Sequence, residues 1–73
     1  MSADLDNFPA RLKACMDAKK MNYAEVARLI DVDKGRIYHW VKGKNLPQAY
    51  YVAKLCEVLE VSADYLLLGK GEP

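Results

Sequence analysis

Little in this chain is suited to chemistry. It carries one histidine, His39, and two cysteines, Cys15 and Cys56, far apart in sequence. That set lacks the ligand spacing of a zinc site. No serine or cysteine has a helical histidine partner for nucleophilic work, and the four glycines form no phosphate-cradling loop. The residues therefore argue against an enzyme, and they imply no metal, no other cofactor and no small-molecule ligand. Long apolar runs are missing as well. None exceeds a few residues, far short of the roughly 20 a membrane span needs, and the opening residues do not read as a secretory leader. With so few cysteines, both at core-facing positions, free thiols are expected rather than a disulfide, which suits a reducing cytoplasm. Low-complexity and disorder signatures are absent too.

Apolar residues are present in quantity, at 52% of 73 residues. That is enough for one compact domain near the small end of what folds without metals or disulfides. The domain is expected over residues 1–68, with 69–73 a tail or the start of a linker. The formal net charge is only +1, but it is unevenly spread. From Lys34 to Cys56 the chain has Lys34, Arg36, Lys42, Lys44 and Lys54 and no acid. A nearly neutral molecule can still turn one basic face to a polyanion. An ordinary solvated charge run has the same composition, and charge alone does not separate the two.

Periodicity gives five helices and no strand. The first runs from about Phe8 to Lys20, with Asn7 at its N-cap, Pro9 in its first turn, and Phe8, Leu12, Cys15 and Met16 on one face. The second, Tyr23 to Ile30, opens on a capping-box pair, Asn22 and Glu25, and buries Val26, Ala27 and Ile30. Asp31 and Val32 turn the chain, Val32 pointing inward. Asp33 caps a third helix from Lys34 to about Lys42, whose inward residues are Ile37, Trp40 and Val41. Gly43 ends it in the left-handed conformation, and Pro47 precedes the next helix. The fourth spans about Gln48 to Leu59 with Val52, Leu55, Cys56 and Leu59 inward. Ser62 caps a last short helix through Leu68.

Two short helices joined by a tight turn, the second basic on its outer side, form a device that fits the DNA major groove. The segment from Phe8 to Leu68 resembles the lambda-repressor-like helix-turn-helix family of phage and bacterial regulators, the Cro or XRE type. The resemblance rests on Val26-Ala27, the spacing to Val32 and Ile37, the Gly43–Pro47 pair, and the ending Leu59 to Leu66. It implies an all-α, compact five-helix DNA-binding domain with the helix-turn-helix at helices 2 and 3. The chain departs from the family at two kinds of position. Tyr23 stands where the family usually has a glutamine that touches a phosphate and supports a base-contacting side chain, and Asp31 where the turn usually has glycine. Met16 and Val41 stand where the family often has a buried Arg–Glu pair. Losing one partner would strand a charge at roughly 3–5 kcal/mol, whereas losing both for apolar groups can be neutral. Met16 and Val41 are therefore expected to pack together or against a shared neighbour.

By the same resemblance Lys34 takes the first base-reading position, able to donate to a guanine edge. Gly35, Tyr38 and His39 complete the reading face, with Arg36 at its margin, able to grip the backbone or a guanine. Phosphate contacts fall to Asn22, Tyr23, Lys42, Lys44 and Asn45. Lys44 has a second reading as a cap on the third helix, and Trp40 reads as core. Of the neighbours Tyr50 and Tyr51, one packs inward or the pair flanks the groove or a partner. One such domain spans few base pairs, so a weak homodimer on a palindromic operator is expected, through Tyr65, Leu67 and Leu68. Those three could instead finish the monomer's core. The function expected is sequence-specific double-stranded DNA binding by a regulator, most like a phage or prophage repressor occluding a promoter. The alternative is a protein-interaction module of the same fold, antitoxin-like or an accessory factor.

Overall fold

The structure, a computed structural model, describes residues 5–71. Expectations that touch residues 1–4, 72 and 73 lie outside it. A 3₁₀ turn at Leu5–Asn7 leads into α1 (Phe8–Ala18), followed by α2 (Tyr23–Ile30), α3 (Lys34–Val41), α4 (Ala49–Leu59) and a C-terminal turn at Asp64–Leu68 wound as a π-helix. There is no strand among the described residues. The radius of gyration, 11.1 Å, is what a folded domain of this length should have, about 11 Å.

The apolar series in the sequence become one core. Phe8, Leu12, Cys15 and Met16 of α1 meet Val26, Ala27 and Ile30 of α2, Ile37 and Trp40 of α3, Leu55 and Leu59 of α4, and Leu66 of the C-terminal turn. No polar or charged residue among those described is buried. Met16 is 1% exposed within this core, and Val41, half-buried, packs against it. Both residues thus join one apolar environment, as the paired loss of charge requires. Cys56 is less enclosed than its spacing implies: it is half-buried beside the core, while Cys15 is buried, and both are free thiols. Burial pushes both thiols above their ordinary pKa, although the Arg11 charge pulls Cys15 back a little and Cys15 adds to the rise at Cys56.

Helix ends explain most of the boundaries. At α2 the capping box closes in both directions: Glu25 N–H donates to Asn22 Oδ1 at 2.8 Å and Asn22 N–H to Glu25 Oε1 at 3.0 Å. Asp31 then takes the left-handed conformation, φ 62°. α1 stops at Ala18, two residues short of the sequence expectation. Lys20 turns left-handed at φ 58°, and Met21 N–H and Lys20 N–H reach back to Met16 O and Asp17 O. Glu60, φ 59°, ends α4 in the same way, and it pairs with Lys19 across the molecule. Gly43, φ 77°, ends α3 as expected, with Lys44 N–H on His39 O and Gly43 N–H on Trp40 O. α3 stops at Val41, with Lys42 as its C-cap. Asp33 occupies the N-cap position of α3 but its side chain makes no capping bond, so only its extended backbone (ψ 144°) opens the helix. Gln48 is the N-cap of α4 rather than its first residue. Ser62 does cap the last turn, its Oγ accepting from Tyr65 N–H at 3.0 Å.

One tertiary clasp has no counterpart in the sequence reading. Arg11 on α1 donates from Nε to Leu66 O (3.0 Å) and from Nη2 to Leu67 O (2.8 Å). It thereby takes up carbonyls of the C-terminal turn and ties that turn to α1. Gly69 (φ 70°) passes so close that a Cβ there would sit 3.0 Å from Arg11 Nη1.

Candidate nucleic-acid interface

α2 and α3 are joined by three residues, and the core residues Val26, Ala27, Ile30, Ile37 and Trp40 fix one helix against the other. With its buried side so committed, α3 turns Lys34, Gly35, Tyr38, His39 and Lys42 outward, and all five are exposed. Arg36 is exposed as well. A Cβ at Gly35 would meet nothing within 4 Å, so the helix backbone is approachable there.

The outer face is organised by ring contacts. Tyr38, 42% exposed, meets Tyr23 of α2 edge-on, with centroids 6.1 Å apart and planes at 70°. His39 lies 6.0 Å from the same ring, and Lys42 Nζ sits 5.5 Å from its centroid. A second group lies toward α4. Tyr51 packs against the core beside Trp40, ring centroids 5.8 Å apart, and carries the Arg36 guanidinium 5.6 Å from its centroid. Tyr50, 64% exposed, touches Tyr51 edge-on at 5.2 Å and has Lys54 Nζ over its ring at 5.2 Å. Of the two neighbouring tyrosines, then, Tyr51 is the one that packs inward. Trp40, 4% exposed, is core.

Two hollows share Arg36 and Tyr51 as walls. One of about 200 Å³ is completed by His39, Trp40 and residues 45–48; the other, about 440 Å³, by Asp31, Val32 and Asp33. Arg36 is thus held at the margin of the exposed α3 face, between the α2–α3 turn and the α3–α4 loop. Lys44 and Asn45 are exposed on that loop. Lys44 also serves α3, through its backbone N–H rather than its side chain. Tyr23 is half-buried at the first position of α2. The Asn22 side-chain oxygen and backbone N–H are both engaged in the capping box.

The candidate self-association residues sit elsewhere, on the C-terminal turn. Tyr65 and Leu67 are half-buried and pack against the core, and Leu68 is half-buried. Sequence reasoning missed Arg11, which holds that turn, and the Tyr51 seat of Arg36. The open choice between Tyr50 and Tyr51 was the one available signal for the latter. Among the described residues no cluster of His, Cys, Asp and Glu is placed to hold a metal. None of the described helices is long and apolar enough to cross a membrane.

Comparison with known proteins gives three results. A family model described as Helix-turn-helix matches residues 12–66. A Haemophilus influenzae protein described as an uncharacterized HTH-type transcriptional regulator is 37% identical over 65 residues, covering 89% of this chain. The match spans 27% of that relative's length. Among solved structures, the P22 c2 repressor, crystallised in complex with synthetic operator 9T, superimposes with a TM-score of 0.82 at 25% identity. The match covers 86% of this chain and 96% of the repressor chain.

Proposed function

The chain belongs to the XRE-type helix-turn-helix family, a family of DNA-binding regulators rather than enzymes, and from that premise we propose that it is the DNA-reading domain of a transcriptional repressor. In this reading α3 enters the major groove of double-stranded DNA. Lys34, Gly35, Tyr38 and His39 face base edges, and Arg36 stands at the margin. Tyr23, Lys42, Lys44, Asn45 and the start of α2 at Asn22 lie along the phosphates. The observation that carries the proposal is the outer face of α3. It is bare, it lies within an acid-free stretch from Lys34 to Cys56, and it belongs to a fold shared with an operator-bound repressor.

Two such domains on half-sites about 34–36 Å apart would read a palindrome that one domain cannot. The exposed portions of Tyr65, Leu67 and Leu68 supply a small contact for a weak homodimer that DNA reinforces. Occlusion of a promoter by that dimer is the proposed mode of action, and the P22 c2 likeness favours a phage or prophage setting. Salt tests the reading. Each phosphate neutralised by a cation should cost roughly 0.9 log unit of affinity per tenfold rise in salt, so Lys42 and Lys44 of two domains together give a steep slope. Affinity for duplexes that is flat with salt, or a chain that captures a protein and ignores DNA at low ionic strength, would move it to the interaction-module class.

A further inference from the structure

The contact between Tyr23 and Tyr38 joins the first residue of α2 to the middle of the exposed face of α3. Periodicity within either helix names no partner for these rings, and their placement differs in kind. Tyr23 is half-buried and packs against the core, so its ring is anchored. Tyr38 is 42% exposed, on the outer side of α3. Its ring meets the Tyr23 edge, the neighbouring His39 ring and the Lys42 ammonium. The Tyr23–Tyr38 geometry, 6.1 Å and 70°, is the T-shaped arrangement aromatic pairs prefer. A phenol side chain has only two torsions, so a single anchored edge is enough to select its orientation.

We infer that Tyr23 is a positioning residue for Tyr38: the anchored ring holds the exposed one in a single orientation toward the groove, and base preference at the pair Tyr38 faces depends on that contact. The inference rests on the DNA reading proposed above and adds to it a coupling between the two helices. A glutamine would support a neighbour through a two-ended amide; this chain does it with a ring edge, which is apolar and directional. Tyr23 then has two separable parts. Its hydroxyl is available to a phosphate, which affects all sequences alike. Its ring acts on discrimination through Tyr38, because preorganising a reading side chain removes the cost of ordering it at each correct site.

The test starts from a duplex selected by the wild-type chain and its single-base variants. Affinities are measured for wild type, Tyr23→Phe, Tyr23→Leu, Tyr38→Leu and the double leucine variant. Tyr23→Phe should keep the base preference. Tyr23→Leu should lose roughly 2- to 12-fold discrimination, the value of an aromatic pair contact, at the same base pair that Tyr38→Leu affects. The double variant should lose no more discrimination than Tyr38→Leu alone, because the two act as one unit. Full preference in Tyr23→Leu, losses at different base pairs, or losses that add would overturn the inference while leaving DNA binding intact. A wild-type chain that binds no duplex would fail both the inference and the functional reading. Melting curves and low-salt binding to random duplex check that each variant folds. The wild-type chain supplies a readout that needs no variant: nuclear Overhauser contacts between the two rings are expected in solution, and their absence overturns the inference.

Discussion

Replacing Arg11 by methionine keeps the aliphatic stem and removes the guanidinium fork that holds the C-terminal turn. Two hydrogen bonds disappear, to Leu66 O at 3.0 Å and Leu67 O at 2.8 Å. Bonds from a charged donor contribute about 1.5–3 kcal/mol each. The site is only part-buried, so water can replace the donor in part, and the lower end applies: about 2–3 kcal/mol for the pair. A domain of this size holds only ~4–11 kcal/mol in total. At about 4–8 °C per kcal/mol, the midpoint of thermal unfolding followed by circular dichroism should fall by roughly 8–24 °C. Arg11→Lys should recover less than half of the loss, since one ammonium cannot reproduce the fork. A midpoint for Arg11→Met within about 4 °C of wild type, the lowest end of what one kcal/mol moves, would show that the clasp contributes little and that apolar packing of Tyr65, Leu66 and Leu67 holds the turn.

The remaining predictions concern the turn, the reading face and the thiols. Asp31→Gly should stabilise by about 0.5–1 kcal/mol by relieving a left-handed backbone, whereas Asp31→Val should destabilise; urea midpoints in the opposite order refute the turn assignment. Lys34→Ala should relax preference at one base position by about 1–3 kcal/mol, whereas Lys42→Ala should weaken every duplex alike and flatten the salt slope by about one unit. Equal effects of both on all sequences would remove Lys34 as a reader. Burial holds Cys15 and Cys56 protonated above the ordinary thiol value of 9.0. The unfolded chain therefore loses those protons first, and their contribution to stability is whole below about pH 9 and falls as pH rises beyond it. Cys15→Ala should make that alkaline decline shallower, and an unchanged decline in urea titrations across pH would contradict the assignment.

Local signals were legible in the residues, and long-range ones were not. Asn22 with Glu25 fixed the start of α2, and Gly43 with Pro47 bracketed the loop after α3, because caps and breakers act within a few residues. The core was readable for the same reason, as 3.6-residue periodicity names inward residues without naming their partners. Lys20 and Glu60 turn left-handed although neither type favours it, so α1 ends earlier than its pattern. Asp33 looks like a cap by type, but its side chain is not used as one. Arg11 reads as one more surface cation until the chain brings it to carbonyls 55 and 56 residues away. At the site, the exposed set on α3 followed from periodicity. The Tyr23–Tyr38 edge and the Arg36–Tyr51 seat needed the crossing of separate helices, which no spacing within one helix encodes.

The most direct test is to titrate the isotopically labelled chain with short duplex DNA at low salt and follow its amide resonances. Shifts should concentrate on residues 34–45 and at the start of α2 around Asn22 and Tyr23, and should retreat as salt is raised. Shifts confined to α1 and the C-terminal turn, with the 34–42 amides unmoved, would mean that the bare side of α3 is not where this domain meets DNA.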